Sequence, residues 1–192
     1  RDARHEPAQP VFSEYVYLMP PGPHKGSLCH IRLHFVEGTI SPKYRAQLFI
    51  LMEGVIHSFC ELLHTDCVQI WIGGVFISNI PEPECTDLCI FISPDSFNNA
   101  DKHARECISR FMHPSTDSTH TADCILQNMC CNVHVLIDET DDENPFYLVC
   151  QHAKAIMEEY YHWDKDHHPR GYFICNAEGI IEDDTRQTET AQ

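Results

Sequence analysis

The sequence predicts an α/β (α+β) domain, a mixed sheet with helices packed on one face, and three observations carry that expectation. Residues 42 to 64 repeat apolar side chains at three- and four-residue steps, which is helical spacing. Leu88 to Ile92 is an unbroken apolar run of strand length, the pattern of a strand buried on both faces. Around these two segments the order runs helix, strand, Gly-Gly, loop, strand, helix, strand, helix, so both element types share one unit.

Taken in order, residues 1–19 are polar and contain prolines, which predicts an N-terminal arm, and Pro20-Pro21-Gly22-Pro23 reads as a stiff turn. Ser27 is placed to cap a short helix carrying Leu28, Ile31 and Phe35 that stops near Gly38. Ser41-Pro42 opens the long helix, with proline at the first helical position. Val68 to Ile72 is a strand stopped by Gly73-Gly74. After the strand at Leu88 to Ile92, Ser93-Pro94 starts a helix through Ala104, Ile108 and Phe111, and the polar stretch 113–121 reads as loop. Asn132 to Ile137 is a third strand, and 138–143 is an acidic loop. Asn144-Pro145 starts a helix whose expected apolar face holds Phe146, Val149, Ala153, Ile156, Met157 and Tyr160. Gly171 to Cys175 is the last strand. The domain spans 20–182, and the tail 183–192 is polar enough to be disordered.

A chain of 192 residues with 43% hydrophobic residues has the size and composition of one ordinary domain core. Its 29 acidic residues outnumber lysine, arginine and histidine together (13 and 14), and the formal charge is −16. That field repels phosphate backbones and anionic membrane surfaces, which argues against general DNA binding and against a membrane partner. No apolar run reaches the roughly 20 residues of a bilayer span, and residues 1–15 lack a signal peptide's apolar stretch. These features predict a cytoplasmic protein. The 11 cysteines are irregularly spaced without a Cys-x-x-Cys pair, so they are expected reduced and mostly buried.

The segment richest in chemistry is Trp71-Ile72-Gly73-Gly74-Val75-Phe76, followed by Ile80-Pro81-Glu82-Pro83-Glu84-Cys85-Thr86-Asp87-Leu88. A strand ending in two glycines lets backbone approach a ligand closely, and N–H groups of the next turn can hold a phosphate. A carboxylate at the start of the following strand would face that phosphate.

This arrangement resembles the nucleotidyltransferase fold, with a Gly-Ser pair after one strand, Asp-x-Asp opening the next, and a third carboxylate from a later strand. More closely, the chain is similar to a mostly bacterial group of small nucleotidyltransferase-like proteins related to the minimal nucleotidyltransferases of toxin-antitoxin pairs. Leu18-Met19-Pro20-Pro21-Gly22-Pro23-His24 follows that group's Leu-Pro-Pro-Gly-Ile-His opening, and Arg45 with Leu48 follows its helix. Trp163-Asp164-Lys165-Asp166-His167-His168-Pro169-Arg170-Gly171 is similar to its Arg-Asp-Arg-Asp-Gly-x-Pro-Lys-Gly ending.

The resemblance implies transfer of a nucleoside monophosphate from a nucleoside triphosphate to a protein or RNA acceptor, with Mg²⁺ held by carboxylates. The departures fall where that chemistry would be done. Gly73 stands where the group has Asp, Val75 replaces the phosphate-contacting Ser, Cys85 replaces the first carboxylate of Asp-x-Asp, and His134 replaces the third. Asp87 remains as the metal ligand, Gly73, Gly74 and Val75 form the nucleotide turn, and Arg170 either holds phosphate or pairs with Asp164 or Asp166. Thiol and imidazole are poor Mg²⁺ ligands, so weak or lost transfer is expected, and Cys85, Asp87 and His134 would suit Zn²⁺ better. The alternative is a catalytically silent subunit that holds a nucleotide or masks a partner.

Overall fold

The computed structural model describes residues 19–66, 68–112, 130–164 and 166–177. The arm up to residue 18, the expected loop at 113–121 and the tail at 183–192 lie outside them. Strands β1 (Gly22–Lys25), β2 (Gln69–Gly73), β3 (Thr86–Ile92), β4 (Cys131–Ile137) and β5 (Gly171–Asn176) form one sheet in the order β1-β5-β2-β3-β4. Both edge pairings are parallel, β1 with β5 and β3 with β4, and the two central pairings are antiparallel. Ile70 lies opposite Ile90 and Ile90 opposite Val135, so the three expected strands are neighbours. Every residue of β3 is buried, as its continuous apolar run requires.

Helices α1 (Leu28–Arg32), α2 (Pro42–Leu63), α3 (Pro94–Asn99) and α4 (Lys102–Met112) contribute to the core on one face of the sheet. Ser27 accepts a hydrogen bond from the His30 N–H and so caps α1, which continues as a π-helical turn, Leu33–Glu37. Helix α2 is long and apolar enough to cross a membrane by composition. Its Met52, Ile56 and Phe59 are buried in one cluster with Ile70, Leu88 and Ile90.

Three differences from expectation have physical causes. The Pro20–Pro23 segment enters a strand, because β1 is an edge strand and proline is tolerated where no partner needs its missing N–H. The helix after Ser93-Pro94 is broken at Ala100-Asp101, where the backbone at Ala100 is extended and the Ala104 N–H donates to the Asp101 carboxylate, a cap that starts α4 afresh. Helix α5 (Tyr147–His162) covers the opposite face of the sheet, adding a second layer to the single helical layer expected. Its sheet-facing residues are Tyr161 and Met157, packed with Trp71, Cys89, Phe91 and Tyr172. Of the apolar residues expected on this helix, Phe146, Val149, Ile156 and Tyr160 are exposed.

Candidate functional site

The candidate site lies on the α5 face, where β2 ends, β3 and β4 begin, and the 163–170 loop leaves α5. Gly73 closes β2 directly opposite Asp87. A Cβ on Gly73 would come within 2.6 Å of the Tyr161 ring, so the absent side chain is what lets α5 sit this close to the sheet. Gly74 has φ +73°, and a Cβ there would overlap the Asp87 carboxylate. Only glycine meets both demands. Gly74–Ile77 then form a 3₁₀ turn that carries Val75.

That turn is held from the other face of the sheet. Arg45 on α2 is fully buried, and its guanidinium donates to the carbonyls of Phe76 at 2.6 Å, Ser78 at 2.6 Å, Phe35 at 3.0 Å and Ile80. Ser78 Oγ closes the turn onto the Val75 carbonyl at 2.6 Å. One cation therefore satisfies a loop's worth of carbonyls that would otherwise be buried without partners.

Asp87 lies inside β3, 7% exposed, beside Asn132 of β4 in the strand register. Asn132 Nδ2 donates to Asp87 Oδ1 at 2.7 Å and to Cys85 Sγ at 3.3 Å. Burial pushes the Asp87 carboxyl above the ordinary range, against the lowering effects of the Asn132 hydrogen bond and of Arg170 and His134. Burial likewise raises the Cys85 thiol to about 11, with Asp87 adding to the shift. His134 is held below its ordinary value by burial, opposed by Asp87, and packs edge-on to Tyr160 with ring centroids 5.6 Å apart. Near neutral pH the thiol and imidazole are thus both uncharged.

Arg170 makes no ion pair with Asp164 or Asp166 among the described residues. It is buried, and its Nε and a terminal nitrogen donate to the carbonyls of Tyr161 at 3.1 Å and Tyr160 at 2.6 Å, capping the C-terminal end of α5. Its guanidinium lies 5.6 Å from the Tyr160 ring centre. Asp164, the expected ion partner, instead accepts from the N–H groups of Asp166 and His168, both at 2.8 Å, and approaches the His168 ring at 3.3 Å. The loop it organises places His167 at φ +58°.

A cavity of about 780 Å³ opens beside these residues, walled by Val75, Ile80, Tyr160, Trp163 and Arg170. Glu82 and Glu84 line it from the loop before β3, and Glu159, Asp164 and Asp166 from the end of α5 and its following loop. Sequence reasoning picked out Val75 and Arg170 but missed Asn132, Tyr160, Trp163 and the two glutamates. Asn132 could have been found from strand register, since it lies as far into β4 as Asp87 into β3. Nothing local marks Tyr160 or Trp163.

The chain matches one protein family, a family of unknown function (DUF6932), over residues 10–180. It belongs to that family. No curated protein and no solved structure matches it.

In this DUF6932 chain the residues present do not fit a Mg²⁺ site. Mg²⁺ in phosphoryl transfer is held through one or two carboxylates, with waters and phosphate oxygens completing the octahedron, whereas here Asp87 is the one carboxylate among the three expected positions, it is buried, and Asn132 occupies one of its oxygens. Cys85, Asp87 and His134 do not form a set whose ligand atoms all lie within 4.8 Å of one another. Among the described residues the set whose ligand atoms lie within 4.8 Å of one another is Asp164, Asp166 and His168. There the Asp164 carboxylate is already spent on the loop's own N–H groups.

Proposed function

We propose that the chain is a catalytically silent binding domain built on a nucleotidyltransferase-like scaffold. The observation that supports this reading is the state of Asp87. The carboxylate that would hold the catalytic ion is buried, raised in pKa, bonded to Asn132 and packed against the Gly74 backbone. It helps to build the turn and is poorly placed to gather a hydrated cation. The partner-masking form of the reading, as in a toxin-antitoxin pair, fits better than storage of a free nucleotide. Five acidic residues line the cavity, and Arg170, its buried cation, is committed to backbone carbonyls. A triphosphate entering without metal would meet net repulsion. A cytoplasmic setting belongs to the same proposal.

Incubation with labelled ATP and Mg²⁺ or Mn²⁺, in the presence of RNA and of the protein itself as acceptors, tests it. No label transfer and no saturable heat on titration with Mg-ATP is the expected outcome. Turnover that disappears in Asp87→Ala would return the chain to the enzymes.

A further inference from the structure

Helix α5 offers two apolar arcs, and the sheet covers one. The arc through Met157 and Tyr161 is packed on the sheet. The other, through Val149 (65% exposed), Ile156 (56%) and Tyr160 (46%), meets solvent, with Phe146 before the helix and Trp163 after it continuing the same stripe. Isolated exposed apolar side chains are ordinary, whereas three at helical spacing on one helix, flanked at its two ends by exposed Phe146 and Trp163, form a surface suited to a partner. Tyr160 and Trp163 also belong to the wall of the 780 Å³ cavity, so the stripe runs into it without a break.

The charge around that surface selects the partner. Glu82, Glu84, Glu159, Asp164 and Asp166 line the cavity, against Arg170 and His167 as the basic residues among its described lining. The Arg170 guanidinium is held by the Tyr160 and Tyr161 carbonyls and lies against the Tyr160 ring, so it offers little free charge to an incoming anion. Aromatic walls beside carboxylates recognise the ammonium or guanidinium of a long side chain, through cation–π attraction and paired charge together. The chain's net charge of −16 acts at longer range in the same sense.

We propose that the exposed stripe of α5 and the adjoining acidic cavity together form a docking surface for a basic amphipathic segment of a protein partner. The segment lays its apolar residues along Val149, Ile156 and Tyr160 and sends a lysine or arginine between Trp163 and the Glu82 and Glu84 side. This assignment rests on the reading of the chain as a silent binding domain and names the class of ligand for it.

The test uses the full chain and two synthetic helical peptides as long as α5, one alternating Leu with Lys in amphipathic order and one carrying Glu in place of Lys. Binding is followed by peptide anisotropy and by the emission of Trp163, the exposed member of the chain's two tryptophans. The Leu/Lys peptide is expected to bind and shift that emission, and the Leu/Glu peptide is expected to do neither. Ile156→Asp, and Glu82→Lys with Glu84→Lys, should each weaken binding by about tenfold or more, while Asp95→Lys with Glu106→Lys, on other surfaces, should weaken it far less.

Equal losses in the two charge-reversed proteins would reduce the effect to general acidity and overturn the proposal, as would binding of both peptides or of neither. Concentration-dependent dimers abolished by Ile156→Asp would assign the stripe to a second copy and overturn it as well. The two readings fail separately. Peptide docking alongside nucleotidyl transfer removes the silence alone, and absence of both removes the docking surface alone.

Discussion

The two faces of the sheet are built by different rules. On the α2 face, Ile70, Ile72, Leu88, Ile90 and Ile92 meet Met52, Ile56 and Phe59, an aliphatic layer with aromatic inserts and one buried cation. On the α5 face, the strands alternate to Trp71, Cys89, Phe91 and Tyr172, with Asp87, Asn132 and His134 along one end. Its covering helix buries Tyr161 and leaves a second apolar arc in solvent. The first face is where burial of apolar area stabilises the domain. The second accepts close backbone approach, a buried carboxylate and an orphan hydroxyl, which are the features expected where a surface is kept for binding.

Arg45 is the sharpest way to break the comparison, since it belongs to the stable face and holds the turn of the other. Arg45→Ala removes the donor to four carbonyls and leaves a cavity, and should destabilise the domain by about 3 to 5 kcal/mol in urea unfolding. Arg45→Lys should recover a minor part of the loss, because one ammonium cannot reproduce the planar fork. If both variants unfold at the wild-type midpoint, the turn does not depend on this brace.

Gly74→Ala comes next, at about 2 to 3 kcal/mol, combining a left-handed backbone with overlap of the Asp87 carboxylate. The two sources can be separated by placing the substitution in an Asp87→Ala background. There the carboxylate overlap is gone and the backbone penalty remains, so the double variant should lose less than the two single losses added. Strict additivity would show that Gly74 and Asp87 do not touch in solution.

Tyr161→Phe should move stability the other way, by up to about 1 kcal/mol. The Tyr161 hydroxyl is wholly buried and has no hydrogen-bond partner among the described residues, so removing it deletes a desolvation penalty and keeps the ring against Trp71 and Tyr172. A lower melting temperature in Tyr161→Phe would mean that a water satisfies the hydroxyl.

Much of the stable face was legible in the sequence, and the reason is local. The spacing of Leu48, Met52, Val55 and Phe59 records a helix with one buried stripe, and the run Leu88 to Ile92 records a strand buried twice over. The other face depends on registers and rotations that no window contains. Helix α5 has apolar residues over a wide arc, and Lys154, which reaches Asp138 at 3.0 Å across the Phe91 ring, falls within the sheet-facing part. A lysine there interrupts the apolar pattern of the true inner face, so the sequence does not single it out from the other apolar residues of the helix. The Asn132 bond to Asp87 joins positions 45 residues apart, and the Arg45 brace joins two faces of a sheet. The glycine pair and Asp87 stood out in sequence as possible chemistry, and their packing shows how much of that pattern the turn itself requires.

Asp87→Asn is the smallest change and the finest test of that last point. Burial raises the folded-state pKa of Asp87 above its unfolded value, so the folded protein binds the extra proton more readily than the unfolded chain. The sign follows directly. The contribution of this group to stability is full below the unfolded carboxylate range and is lost as pH rises through the folded pKa. Asparagine is uncharged at every pH and keeps an oxygen for the Asn132 amide. Asp87→Asn should therefore melt at or above the wild type at pH 7, with the gap closing as pH falls toward 4. Melts across that range check it, with Asp87→Ala as the control that loses the hydrogen bond as well. A variant that is less stable at pH 7 and regains ground in acid would show that the charge itself is wanted there, held by Arg170 or by a cation, and would restore Asp87 as a working ligand.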